Sequence, residues 1–209
     1  MYNIHTLRRD MAETIREPKQ QRSIEKKKSI IRAGYELFAE KGYFNTNTAE
    51  IAKRAGVSTG IVYGYFHDKR DILLDVLDIY IADVFNPVLA LFDEMSANLN
   101  LQELVPNIIE KVVETHKEHA SIHEALHSLT STDPIVEGKF KELEEEMTNR
   151  IANALQKHGY KQKDLIERVH TAIGIYQSFS HEVVFDDHPY INYENMREIT
   201  IKLIISLFE

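Results

Sequence analysis

The sequence predicts an all-α protein with a small three-helix front domain and a larger helical body. Apolar residues recur at helical spacing along most of the chain, and no segment alternates with period two. Only 8 Gly and 5 Pro occur in 209 residues, with no repeat and no low-complexity tract. Charge divides along the chain as well. Residues 1–70 hold 14 Lys and Arg against 8 Asp and Glu, whereas residues 71–209 hold 11 against 25. The expected boundaries are a basic arm over 1–22, a front domain over 23–70 and a body over 71–209.

Taken in order, the arm carries Arg8, Arg9, Arg16, Lys19 and Arg22 and runs into Lys26, Lys27 and Lys28. Its basic character suits phosphate tracking or an adjacent minor groove, and equally a solvated tail. The first helix of the front domain is expected to end at Lys41-Gly42-Tyr43. A second opens after Asn47, whose side chain caps while Glu50 reaches back at capping-box spacing. Ile51, Ala52 and Ala55 give it one apolar face. Gly56 stands where a chain leaving a helix needs positive φ, and Val57 tucks the turn against the core. Ser58 caps a third helix, Thr59 to Phe66, held by Ile61, Val62 and Phe66 with Thr59, Gly60, Tyr63, Gly64 and Tyr65 turned outward. Asp68 caps the helix that follows, with Asp71 at capping-box distance.

This is helix-turn-helix chemistry. A glycine inside a helix costs about 1 kcal/mol relative to Ala, which folding alone does not explain but close approach of a backbone to DNA does. Tyrosine hydroxyls reach phosphate oxygens, and Lys69 in the first turn of the next helix is expected to add a charge-assisted contact. A basic front on an acidic body, formally −8 overall, orients the front toward a duplex.

Residues Ile30 to Leu74 resemble the DNA-binding domain of the TetR (tetracycline-repressor-like) transcriptional regulators. The resemblance rests on Ala33, Leu37, Phe38, Lys41-Gly42-Tyr43, Thr46, Glu50-Ile51-Ala52, Ala55-Gly56-Val57-Ser58, Gly60, Tyr63, Tyr65-Phe66, Lys69 and Leu73. It implies that Thr48, Ser58, Thr59, Gly60, Tyr63, Tyr65 and Lys69 touch DNA, mostly its backbone. Thr48, Thr59 and Gly64 depart from the residues commoner in the family. The resemblance further implies a C-terminal ligand-binding and dimerisation domain, and regulation by a small-molecule effector that releases a homodimeric repressor from a palindromic double-stranded operator.

The body reads as successive helices. Ile72, Leu73, Val76, Leu77, Ile79 and Tyr80 form an apolar stripe that Asn86-Pro87 is expected to end or kink. Further helices are expected over about 87–98, 101–119, 121–130, 134–158, 163–185 and 193–208, with Asp133-Pro134 as cap and first residue and Gly159 as a C-cap. The last two carry an apolar surplus, notably Ile173, Tyr176, Phe179, Ile199, Ile201, Leu203, Ile204, Leu207 and Phe208. That surplus suits a four-helix dimer interface. Phe92, Met95, His116, His119, His123, Tyr176 and Phe179 are the expected pocket residues.

Other classes fare worse. Cysteine is absent from the sequence, which excludes disulfides and thiolate metal sites and fits a cytoplasmic protein. No segment approaches the roughly 20 apolar residues of a membrane span, and the first twenty residues lack the apolar run of an export signal. Gly56-Val57-Ser58-Thr59-Gly60 matches the G-x-S-x-G nucleophile elbow without the strand that elbow requires. Glu124-x-x-His127 and Glu167-x-x-His170, with Glu110, Glu114 or Glu118, match the ligand pairs of di-metal bundles. With 22 Glu and 10 His, about one such spacing arises by chance. His116, His119, His123 and His127 form one helical stripe that suits a polar pocket or a shared metal. The expectation is a non-enzyme without cofactor or metal. A metal-dependent helical enzyme and a ligand-independent DNA-binding protein are the alternatives.

Overall fold

The computed structural model describes residues 21–93, 99–186 and 188–209. Most of the expected basic arm and Met95 therefore lie outside the described residues. Among those described, the secondary structure is helical without strands: α1 Gln21–Lys41, α2 Thr48–Arg54, α3 Thr59–Tyr63, α4 Lys69–Asp93, α5 Leu101–Glu118, α6 Ala120–His127, α7 Pro134–Lys157, α8 Leu165–Phe185 and α9 Tyr193–Ser206. The all-α class read from the sequence stands. The chain forms two compact units, Met1–Asp78 and Ile79–Glu209, whose boundary falls within α4.

The front unit packs α1, α2, α3 and the first turns of α4 around one core. Ile30, Ala33, Leu37 and Phe38 repeat at helical spacing on α1, and they are buried together with Ile51, Val62, Phe66, Ile72 and Leu73 of the same unit. Gly34 lets α1 approach α4 closely, since a Cβ there would lie 2.7 Å from Ile72 Cγ2. Thr46 is buried between α1 and α2, and its hydroxyl donates to the Gly42 carbonyl at 2.9 Å and the Leu37 carbonyl at 3.3 Å. It thereby ties the segment that leaves α1 back to the last turns of that helix.

In the C-terminal unit, α5, α7, α8 and α9 enclose a core that includes Val105, Ile109, Ile151, Leu155, Ile173, Tyr176, Phe179 and Phe208. Of the two outcomes expected at Asn86-Pro87, an end or a kink, the end does not occur, and the helix continues to Asp93. Phe85, Val88 and Leu89 are buried on either side of the proline, so packing holds the helix through the one hydrogen bond that Pro87 removes. The apolar surplus of the last two helices divides between two environments. Ile173, Tyr176, Phe179, Ile204 and Phe208 are buried in the unit's own core, whereas Ile199 is 64% exposed, Leu203 49% and Ile166 44%. Among the described residues no helix is long and apolar enough to cross a membrane.

Candidate nucleic-acid interface and body cavity

The turn joining α2 to α3 is built as its sequence specifies. Asn47 Oδ1 accepts from the Glu50 N–H at 3.0 Å, and Glu50 Oε2 accepts from the Asn47 N–H at 3.1 Å, completing a capping box. Arg54 grips Glu40 through two nitrogens, at 2.7 and 2.8 Å, and so orients α2 on α1. This pair is solvent-exposed, and its role is orientation rather than stability. Gly56 takes φ +69°, where a side chain costs about 1–2 kcal/mol, and the Val57 N–H then reaches back to the Ala52 carbonyl at 3.0 Å. Ser58 Oγ accepts from the Ile61 N–H at 3.4 Å and starts α3. Asp68 caps α4 through the N–H groups of Arg70 and Asp71, while Asp71 itself accepts from the His67 N–H, one residue before the partner expected.

On α3, Val62 is buried and Ile61 half-buried, which turns Thr59, Gly60, Tyr63 and Gly64 outward; Tyr63 is 55% exposed. A Cβ at Gly60 would meet nothing nearer than Ser58 Oγ at 4.0 Å. The protein's own packing therefore gives no reason for a glycine at this position. Thr48 is half-buried as the first residue of α2, and Ser58 is exposed. The polar ends of two of the expected contact residues are engaged by the protein's own groups. The Tyr65 hydroxyl is half-buried 2.7 Å from Ser23 Oγ. Lys69, expected to aim at phosphate, instead directs its ammonium inward. Its Nζ donates to the carbonyls of Tyr43 at 2.6 Å and Thr46 at 2.7 Å and lies 4.1 Å from the centre of the Tyr43 ring. The cause is the carbonyl-rich loop between α1 and α2, which offers a partly buried cation two acceptors. Burial, and secondarily the Lys41 charge, lowers the Lys69 pKa.

Within the C-terminal unit lies a cavity of about 570 Å³. The buried Ser and Thr hydroxyls of the unit are satisfied by carbonyls one helical turn back: Thr115 by Lys111, Thr148 by Glu144, Ser180 by Tyr176 and Thr200 by Met196. His116 and His123 differ, because both are buried and both line the cavity with His127 and His181. His116 Nδ1 lies 2.8 Å from the Val112 carbonyl. A carbonyl only accepts, so Nδ1 carries the proton and Nε2 keeps a free lone pair. His123 bonds the Tyr80 hydroxyl through Nδ1, and its Nε2 lies 2.9 Å from Nε2 of His181. Burial first, then the neighbouring imidazoles, holds His123 down to about 2 and His127 down to about 4. Burial lowers His116 and His181 as well. The cluster is uncharged at neutral pH. The carboxylates of Glu137, Glu144, Glu182 and Asp186 line the same cavity.

The comparisons with known proteins agree with this geometry. The family described as bacterial regulatory proteins, tetR family, matches residues 30–76. Residues 30–76 are thus similar to the N-terminal domain of that family. The chain is 48% identical over 60 residues to the HTH-type transcriptional regulator HbdR of Aromatoleum sp. strain CIB, covering 27% of this chain and 26% of that protein. It is 31% identical over 142 residues to the HTH-type transcriptional regulator YuxN of Bacillus subtilis, covering 66% of this chain and 47% of that one. The chain thus spans about a quarter to a half of the length of these relatives. A solved TetR-family regulator from Mesorhizobium loti superposes with a TM-score of 0.74 at 19% identity, over 90% of this chain and 97% of that chain. The TetR fold therefore extends through the body.

Within that TetR fold the expected pocket residues separate. His116, His123 and Tyr176 line the large cavity. Phe92 lines a small apolar pocket of about 50 Å³ beside Leu101, Ile109 and Phe208. Phe179 is core, and the His119 ring packs edge-on against Tyr80. The stripe of His116, His119, His123 and His127 spans the break expected between the helices over 101–119 and 121–130. The chain breaks at His119, with φ −110° and ψ 15°, and starts a new helix at Ala120. Sequence reasoning missed His181. Its available signal was the spacing of Gln177 and His181, one turn apart on a helix otherwise rich in apolar residues. The Glu-x-x-His pairs do not converge: among the described residues, the group of close metal-ligand types is His116, His123 and His181. Ser58 of the G-x-S-x-G match sits between two helices as an N-cap.

Proposed function

We propose that the protein is a homodimeric transcriptional regulator that binds a palindromic duplex operator through α3 and is released when the body cavity takes up an effector. The observation that carries this reading is the outward face of Thr59, Gly60 and Tyr63, with a glycine that the fold itself does not need. Thr48 and Ser58 flank that face as further backbone contacts. Tyr65 and Lys69 act through position, since their polar atoms engage Ser23 and the α1–α2 loop. Dimerisation is supported by Ile199, Leu203 and Ile166, exposed on α9 and α8. Two recognition helices about 34 Å apart then meet successive turns of one groove. The cavity is of the size that takes small molecules. An effector acts by favouring one separation of the recognition helices, and a preference of about 1–3 kcal/mol suffices.

Gly60→Ala tests the interface by separating folding from binding. Ala is the better helix former, so thermal melting is expected to stay the same or to rise by the equivalent of up to about 1 kcal/mol. Affinity for a duplex selected from a random pool is expected to fall about fivefold or more, on the order of 1 kcal/mol, because the added methyl holds the backbone away from DNA. Equal affinity in the variant and the parent protein would remove Gly60 from the interface.

A further inference from the structure

The geometry points to a divalent transition-metal site in the body cavity, formed by His116, His123 and His181. The three imidazoles come from α5, α6 and α8, and their ligand nitrogens all lie within 4.8 Å of one another. Three nitrogens bound to one tetrahedral ion at about 2.0–2.1 Å stand about 3.3 Å apart. The His123–His181 separation of 2.9 Å already lies close to that value. Small rotations of the rings bring the third nitrogen in.

Two further features are those of a ligating set. The Val112 carbonyl holds His116 by Nδ1, and the Tyr80 hydroxyl holds His123 by Nδ1, so outer partners aim both Nε2 atoms into the cluster. A metal-bound imidazole is oriented in the same way, with its second nitrogen bonded to a carbonyl or another polar group. Burial adds to the orientation, since His116 and His123 are only 6% and 3% exposed and have little water to compete for their lone pairs.

The donor set selects the ion. Three neutral nitrogens suit zinc, copper, nickel or cobalt, whereas magnesium and calcium require oxygen ligands. Three protein ligands leave a fourth position open. The cavity of about 570 Å³ is far larger than one ion, so that position has room for a ligand carrying an oxygen or nitrogen donor. The regulatory consequence, that the metal or a metal-anchored compound is the effector, rests on the reading of this cavity given under Proposed function.

Metal uptake is measured without DNA, using tag-free full-length protein cleared of metal with a chelator and titrated with Co²⁺ by visible absorption and with Zn²⁺ by calorimetry. The expected result is one equivalent per chain, weakened at least tenfold in His123→Gln and in His181→Ala and unchanged in His170→Ala, whose side chain is exposed. Circular dichroism checks each fold; if His123→Gln fails to fold, His181→Ala, which is only half-buried, decides. No saturable uptake, or equal affinity in the folded ligand variants, overturns the site. Duplex binding by the metal-free protein is scored separately. DNA binding without metal uptake overturns the metal site alone, and metal uptake without DNA binding supports the site while overturning the regulator reading.

Discussion

Phe38→Ala is expected to unfold the DNA-binding domain and abolish duplex binding. Phe38 is fully buried on α1, 5.5 Å from the Tyr43 ring between centroids, in the core that also holds Ile51, Val62 and Phe66. Removing a buried phenyl ring typically costs about 3–5 kcal/mol, because the lost transfer energy adds to that of the cavity left behind. A domain's entire stability is about 5–15 kcal/mol, and a unit this small lies toward the lower end. The C-terminal unit draws on a separate set of core residues and is expected to keep its own melting transition. Calorimetry together with duplex titration checks both halves. A variant that melts as the parent does and still binds DNA would show that Phe38 is not where the front domain draws its stability.

Lys69→Met carries the second large effect and distinguishes two roles for one residue. The substitution keeps an aliphatic stem but removes the donor that the carbonyls of Tyr43 and Thr46 share. Hydrogen bonds from a charged group are worth about 1.5–3 kcal/mol each, so the loop between α1 and α2 is expected to loosen and the melting temperature to fall markedly. On the proposed function duplex affinity drops with it, because that loop holds α2, which leads into α3. A direct phosphate contact makes the opposite forecast: unchanged melting, with the slope of log affinity against log salt reduced by about 1. The two outcomes exclude one another.

The contrast at Lys69 shows which parts of the molecule were legible in the sequence. The caps and turn of the helix-turn-helix are local. Asn47 and Glu50 stand three residues apart, Gly56 must enter the left-handed region, and Ser58 meets the Ile61 N–H, so spacing alone determines each of them. Which way a long side chain turns is not local. Lys69 finds its acceptors 23 and 26 residues earlier, and Tyr65 finds Ser23 at a separation of 42. Both read as outward-facing residues until the loop and α1 are in place.

The same distinction explains the body. Helices were readable from period and caps, as at Asp133, whose carboxylate accepts from the Ile135 and Val136 N–H groups. Pro87 does not end its helix, because burial of its neighbours outweighs one missing hydrogen bond. The cavity was only half legible. His116 and His123 lie close in sequence, but His181 joins them from 58 residues beyond His123, and no spacing rule covers that distance. His119, expected in the pocket, stands at the break between α5 and α6 and packs against Tyr80.

The most direct measurement is the affinity of Tyr63→Ala for the selected operator duplex, titrated at several salt concentrations beside the parent protein. Tyr63 projects from α3 with 55% of its surface exposed, so its removal is expected to leave melting and dimerisation unchanged. If this face lies against DNA, affinity falls about tenfold, on the order of 1.4 kcal/mol, at every salt concentration where binding is measurable. Undiminished affinity in a correctly folded variant would mean that DNA, if bound, meets a different surface of the protein.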